Sequence, residues 1–379
     1  MYKIPSFKST YHQNDIDTVL NVIERGMRWA DGPEIDLVEK ELENYLNVKH
    51  ALTFNSGTSA LYTLLLALDV KGFEVICPTF TFIATVNAIE LAGGIPVFAD
   101  SEHYTFGLDA QSVEQKITEK TKAIITIDYG GCIGIDTKKI SAIAKKHNLF
   151  FIEDAAQSFG ATMDSKHVGA FSDAAIFSFC QNKVITALGE GGALITKHSE
   201  IYQKAKYLRS HGRVDMPNKK HFEISSDNEY LYPGFNFRMP TISAAFLISQ
   251  LRNINNNLSR RRYIAQQYEK EFSKHQNITL PCPPEGHTHC YQMYTIRLPN
   301  HQIRDNLKQY LLDNKILVRC YFELIHLKPY YLKKCGNLDL PGATALSNTV
   351  LTLPMFPSMT DEEIAYVIKY ALLFMQKHG

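Results

Sequence analysis

Between residues 50 and 200 the chain alternates short apolar, β-branched runs with longer stretches whose apolar positions recur every three or four residues. The short runs are "ALTF", "EVICP", "IPVFAD", "KAIITID", "LFFIED", "AAIFSF" and "GALITK". The longer ones are "SALYTLLLALD", "FIATVNAIELAG" and "TKKISAIAKKHN", two of them stopped by Gly93-Gly94 and by Asn148. Such alternation predicts βαβ units around a mainly parallel sheet. The link from Asp154 to Asp173 carries glycines and no helical period, so the strand over 174–179 is expected to lack a crossover helix and to run antiparallel. After residue 240 the pattern changes to long amphipathic helices, "TISAAFLISQLRNINNNLSRRRYIAQQYEKEFSKH", and then to a smaller mixed α/β segment. The change places a domain boundary near 255, with a large domain over 1–255 and a small one over 256–379. Residues 1–20 are expected to pack with the small domain. "PCPPEGH", Pro281 to His287, reads as a turn-rich connector.

Composition narrows the class. The 379 residues are 45% hydrophobic and 11% aromatic, an ordinary folded composition. Forty Lys and Arg against 39 Asp and Glu leave a net charge of +1, so no global field draws the protein to nucleic acid or an anionic membrane. Seven scattered cysteines without C-x-x-C spacing fit neither a disulfide framework nor a zinc site, and no metal is expected. With no apolar run of signal-peptide or membrane-span length, the expectation is a soluble cytoplasmic protein.

Four stretches carry candidate chemistry where α/β folds place ligands. In "NSGTSAL", Gly57 permits a tight turn, and Thr58 and Ser59 open a helix whose free N–H groups suit a phosphate; an ordinary helix cap is the plain alternative. "LFFIEDAAQSFG" ends a strand in Glu153 and Asp154, with Gln157 three residues on. That acidic pair would suit magnesium in a nucleotide triphosphatase, but the chain has no G-x-x-x-x-G-K-[ST] loop to accompany it. In "PTFTFIATVNAI" one of Phe80 and Phe82 is expected in the core and the other free to face a planar ligand. "FSFCQNKVITALGEGG" sets Ser178 five residues before Lys183, with glycines that let the backbone pass close to something bulky. A phosphate grip, an aromatic ring, a carboxylate and a lysine are together what pyridoxal phosphate requires.

These stretches resemble the DegT/DnrJ/EryC1/StrS family of pyridoxal-phosphate-dependent, fold-type I nucleotide-sugar aminotransferases. The resemblance runs from "GPEIDLVEKELENYLNVKHALTFNSGTSAL" through "EDAAQSFGA", "LRSHG" and "YPGFNFRMPTISAAFLISQL" to "LTLPMFPSMTDEEI". It implies an α/β fold with a mostly parallel seven-stranded sheet between helices and a smaller C-terminal α/β domain. It also implies that Lys183 is the Schiff-base lysine, Asp154 the pyridinium partner, Gln157 the ring-hydroxyl ligand and Phe82 the stacking aromatic. Gly57, Thr58 and Ser178 match the phosphate cradle, and Asn236 in "GFNFRM" matches an asparagine that reaches the phosphate from the second subunit of a homodimer. Pyridoxamine phosphate would be the amino-carrying form of the cofactor. Two departures, "GGCIGID" over Gly130 to Asp136 and Thr241-Ile242 after "FRMP", bear on the substrate and are expected to leave the cofactor residues untouched.

The function so implied is transfer of an amino group from L-glutamate to a 3- or 4-keto sugar linked to dTDP or UDP. Its product would be an amino sugar for surface polysaccharide, such as a lipopolysaccharide O-antigen, or for a glycosylated metabolite. Trp29 and the segment "RCYFELIHLKPYY", with Arg319, Tyr321, His326 and Lys328, offer cations and aromatic faces for the diphosphate and base, or else pack structurally. His211 in "RSHG" stays open between the two. A keto-cyclitol or other keto acceptor would need the same cofactor residues. A sugar dehydratase of this fold would carry histidine in place of Lys183, and a cofactor-free regulator would tolerate loss of Asp154 or Lys183.

Overall fold

All seven apolar runs become strands of one sheet in the computed structural model, which describes residues 2–214 and 229–378. In chain order they begin with β1 (His50–Phe54), β2 (Glu74–Pro78), β3 (Ile95–Ala99), β4 (Thr121–Ile127) and β5 (Phe150–Asp154). A small hairpin, β6 (Thr162–Met163) and β7 (Lys166–His167), precedes β8 (Ala174–Ser178) and β9 (Gly192–Thr196). The spatial order is β1-β9-β8-β5-β4-β2-β3. Helices cover both faces, which is why β4 and β5 are buried along nearly their whole length and read as continuous rather than alternating apolar runs.

One expectation is corrected here. The strand over 174–178 pairs parallel with β5, and the antiparallel strand is β9, which runs against both β8 and β1. The link after Asp154 does lack a crossover helix, but the β6–β7 hairpin and its turns return the chain to the same end of the sheet. The loop between β8 and β9 instead folds back on itself, through bonds from Phe179 N to Gly191 O and from Gln181 N to Gly189 O, and so reverses the direction.

The helix starts and stops follow local chemistry. Asn148 closes the helix Thr137–His147 in a left-handed conformation, and Gly93, at φ +78°, follows the helix Ile83–Leu91. The helical run after residue 240 breaks at Asn253 into Thr241–Arg252 and Ile254–Phe272. The first of these is a core helix rather than an amphipathic one, with every residue from Ser243 to Leu251 buried. Beyond it, β10 (His287–Thr288) pairs with β6, and β11 (Tyr294–Arg297) pairs antiparallel with β12 (Val350–Leu353). A second apolar core gathers side chains between Ile264 and Met375, among them Leu307 and Phe356, and Ile4 joins it through a bridge to Ile316. The amino-terminal segment then crosses to the large sheet's side, where the Ser9 hydroxyl donates to the Gln181 carbonyl at 2.9 Å. No helix among the described residues is long and apolar enough to cross a membrane.

Candidate active site

A cavity of about 410 Å³ opens at the carboxyl ends of β5 and β8. Its floor is the amino terminus of the helix Gly57–Ala67. Ser56 caps that helix, its hydroxyl oxygen accepting from the Ser59 N–H at 3.1 Å. Gly57 and Thr58 line the cavity at the positive end of the helix dipole, where the first-turn N–H groups have no partner inside the helix. Two glycines make this cradle possible. A Cβ on Gly57 would lie 3.1 Å from the Ser178 Cβ, and one on Gly192 would lie 2.3 Å from the Ser56 backbone carbon. The "GEGG" sequence therefore lets β9 pass directly behind the helix terminus. It also lets Ser178, at the end of β8, stand beside Gly57.

Asp154, at the end of β5, is 6% exposed and faces the cavity. Its Oδ2 accepts from the Thr85 hydroxyl at 2.6 Å and its Oδ1 from the Ala156 N–H at 3.2 Å. Burial pushes its carboxyl above the usual range, opposed by those two hydrogen bonds and by the charge of Lys183. A buried anion at this point is stabilised by any cation placed in the cavity. Gln157 is oriented by the Gly130 N–H, which donates to its Oε1 at 2.8 Å and leaves Nε2 as the donor available to the cavity it lines. That bond corrects an expectation: the "GGCIGID" turn does touch a cofactor candidate. It does so through a backbone N–H, which a change of side chain does not remove. Of the two phenylalanines, Phe80 is fully buried against Tyr129, while Phe82 is 60% exposed and lines the cavity.

Lys183 lies on the loop between β8 and β9, which folds on itself through bonds from Phe179 N to Gly191 O and from Ala187 N to Phe179 O. Its side chain opens into the cavity, with no hydrogen-bond or ion-pair partner among the described residues. Burial lowers its pKa from the ordinary lysine value, with Asp154, Cys180 and Glu190 acting against that shift. An unpaired amine with a depressed pKa is a nucleophile and a proton carrier in waiting.

Glu153 is not part of this constellation. Successive strand residues point to opposite faces, so Glu153 turns away from the cavity and its Oε2 accepts from the Gly169 N–H at 3.0 Å. Its Oε1 has no hydrogen-bond partner among the described residues. Burial pushes its carboxyl up to about 7, and Asp128 nearby is raised as well, by burial and then by Glu153. A carboxyl whose pKa is raised on folding contributes stability that is fully present below its unfolded value and is lost as pH rises through about 7. Glu153→Gln, which stays neutral, is therefore expected to melt higher relative to the parent at pH 8 than at pH 5. A melting difference that is the same at both pH values in a thermal shift assay would contradict this.

Arg319 and Tyr321 both line the cavity, with Arg319 exposed at its edge. The Tyr321 carbonyl is fixed by the Tyr129 hydroxyl at 2.6 Å. The structure does not bring the other substrate candidates there. His326 is 2% exposed, its Nδ1 paired with the Thr79 hydroxyl at 2.7 Å, so it joins two segments of the core. Lys328 pairs with Glu323, and Trp29 is exposed with its Nε1 donating to the Val22 carbonyl at 3.0 Å. His211 and Asn236 are exposed away from this chain's own cavity. Sequence reasoning missed Thr85, Phe7, Gln292 and Phe322, all of which line it. Only Thr85 had a local signal, in the first turn of the helix that follows β2.

A helix amino terminus, an exposed ring, a buried carboxylate, an amide donor and an unpaired lysine share one cavity of this fold, a set that fits pyridoxal phosphate. A sequence model of the DegT/DnrJ/EryC1/StrS aminotransferase family matches residues 10–371, and the chain belongs to that family. It is 34% identical over 370 residues to a GDP-perosamine synthase of Escherichia coli O157:H7, covering 97% of each chain. It is 36% identical over 361 residues to a GDP-perosamine synthase of Caulobacter vibrioides, covering 94% of each. Among solved structures, NtdA from Bacillus subtilis with bound cofactor PMP superposes with a TM-score of 0.86 at 27% identity, over 96% of this chain and 82% of that one.

Proposed function

We propose that the protein moves the amino group of L-glutamate to the keto carbon of a deoxysugar linked to a nucleoside diphosphate. The observation that carries this reading is the unpaired Lys183 amine opening into the same cavity as the Thr85-held carboxylate of Asp154. When bound, pyridoxal phosphate supplies the electron sink that makes the donor's α-proton removable. Gly57, Thr58 and Ser178 would hold its phosphate, Phe82 would cover a ring face, Gln157 would donate to the ring hydroxyl, and Asp154 would keep a proton on the ring nitrogen. Lys183 would be the residue that bonds the cofactor's aldehyde. Its amine, unpaired and with a depressed pKa, would be the group that takes up and returns a proton during the transfer. The net reaction would release the donor as its keto acid and leave its amino group on the sugar.

Arg319 supports a diphosphate acceptor, since a guanidinium suits phosphate oxygens and this one lines the cavity edge. The likeness to two proteins named GDP-perosamine synthase supports a guanosine diphosphate sugar over the dTDP and UDP sugars. The test is to incubate the protein with glutamate and matched 3- and 4-keto sugars on GDP, dTDP and UDP, following 2-oxoglutarate and the amino sugar. Amination of a GDP-linked 4-keto sugar at least about tenfold faster than the others is expected, a preference worth roughly 1.4 kcal/mol. Turnover of a free keto-cyclitol in place of every nucleotide sugar would overturn the reading.

We further propose a twofold dimer in which Asn236 completes the partner's phosphate site. Supporting it are the exposed position of Asn236 and an apolar stripe of Ile16, Leu20 and Ile23, spaced three and four residues apart and continued by Met27 and Trp29. Lys183→Ala and Asn236→Ala subunits refolded as a mixture then gather both defects into one site of each mixed dimer. With half the dimers mixed, about a quarter of the parent activity should return. A mixture no more active than the mean of its parents, after confirmed exchange, would exclude the shared site.

A further inference from the structure

The segment His289–Met293, which leads into β11, is bound to the cavity wall at four points. The Cys290 N–H donates to the Gly131 carbonyl at 2.9 Å and the Met293 N–H to the Gly130 carbonyl at 3.0 Å. The Cys290 thiol reaches the Gln157 carbonyl at 3.4 Å. The fourth point is Gln292, which is 7% exposed, lines the cavity, and donates from Nε2 to the Asn182 carbonyl at 2.5 Å. From behind, Arg261 is 4% exposed and its guanidinium donates to the carbonyls of Tyr291 at 3.0 Å and Gln292 at 3.4 Å.

The Asn182 carbonyl belongs to the peptide group whose N–H is that of Lys183, and that N–H donates to the Cys180 carbonyl at 2.9 Å. Both polar ends of this rigid, planar unit are therefore held, one by Gln292 and one within the loop. The held plane sets the direction in which the Lys183 side chain leaves the backbone. Loss of the Gln292 donor would leave the Asn182 carbonyl without that bond and free the unit to rotate, while the phosphate cradle, built on β8, β9 and the helix Gly57–Ala67, stays as it is.

We propose that Gln292 is a positioning residue for Lys183, acting through the Asn182 carbonyl. The inference rests on the reading of Lys183 as the residue that bonds the cofactor aldehyde. It is tested on the full-length protein freed of cofactor, with two ligands that separate attachment from cradle. Pyridoxal phosphate can bond Lys183, whereas pyridoxamine phosphate, which has an amine in place of the aldehyde, reports the cradle alone. In Gln292→Leu and in Gln292→Met, which also fills the space without a donor, the visible band after mixing with pyridoxal phosphate should form about tenfold more slowly, since a misplacement of about 1 Å costs up to about a hundredfold. The affinity for pyridoxamine phosphate should stay within about twofold of the parent's, because none of the cradle bonds is altered. Should the leucine variant fail to fold, the methionine variant decides. Unchanged band formation in the variants, or a loss matched by equal loss of pyridoxamine phosphate affinity, overturns the proposal. Failure of the parent itself to form the band would instead overturn the assignment of Lys183.

Discussion

Lys183→Ala should fold, retain pyridoxamine phosphate and lose turnover by about 10,000-fold or more, because general acid–base catalysis alone contributes about 10²- to 10⁴-fold and the anchoring of the cofactor is lost with it. The structure motivates an effect of that size. Among the described residues Lys183 has no hydrogen-bond or ion-pair partner, so its removal breaks no such bond of the fold, and no other lysine among them lines the cavity to replace it. Lys183→Arg should be equally inactive, since a guanidinium stays protonated and cannot take up a proton. Steady-state rates with glutamate and a keto-sugar acceptor, beside thermal melts, make the comparison. Arginine-variant turnover within about tenfold of the parent would contradict a proton-carrying role for Lys183.

Asp154→Asn is expected to lower turnover by about 100-fold or more while leaving the melting temperature nearly unchanged, the pattern of a group needed in the transition state rather than for folding. The amide keeps the volume: its oxygen still accepts from the Ala156 N–H, and its NH2 donates to the Thr85 hydroxyl oxygen, which can turn its own proton to Thr81, so both contacts of the present carboxylate survive with one reversed. What it loses is the negative charge that would hold a proton on the ring nitrogen. Glutamate KM should move far less than kcat. A variant with kcat within a few-fold of the parent would make Asp154 a residue of the fold.

Much of this site was legible because its parts are short-range. The cradle, the carboxylate and the lysine each lie within a few residues of a strand end, and strands buried on both faces print themselves as unbroken apolar runs. The direction of β8 was misread because a parallel crossover was equated with a helix, while the chain here uses a hairpin and turns. Glu153 and Asp154 looked like a pair because adjacency in sequence hides the alternation of a strand, which sends one carboxylate to the cavity and the other to its far side. His326 and Lys328 carried the right chemistry in the right segment, and only the packing of Thr79 and the position of Glu323 show where their side chains go. Gln292 left no signal at all. Its partner, Asn182, lies 110 residues away, a pairing that depends on how the second core sits against the large sheet.

The measurement that bears most directly on this account is borohydride reduction of the pyridoxal-phosphate-loaded protein, followed by proteolysis and mass mapping of the modified peptide. Reduction fixes the cofactor to whichever amine holds it. The account expects a single phosphopyridoxyl group on Lys183, within the peptide that carries "FCQNKVITALGEGG". A label on any other lysine, or none on a protein that has taken up the cofactor, would contradict it.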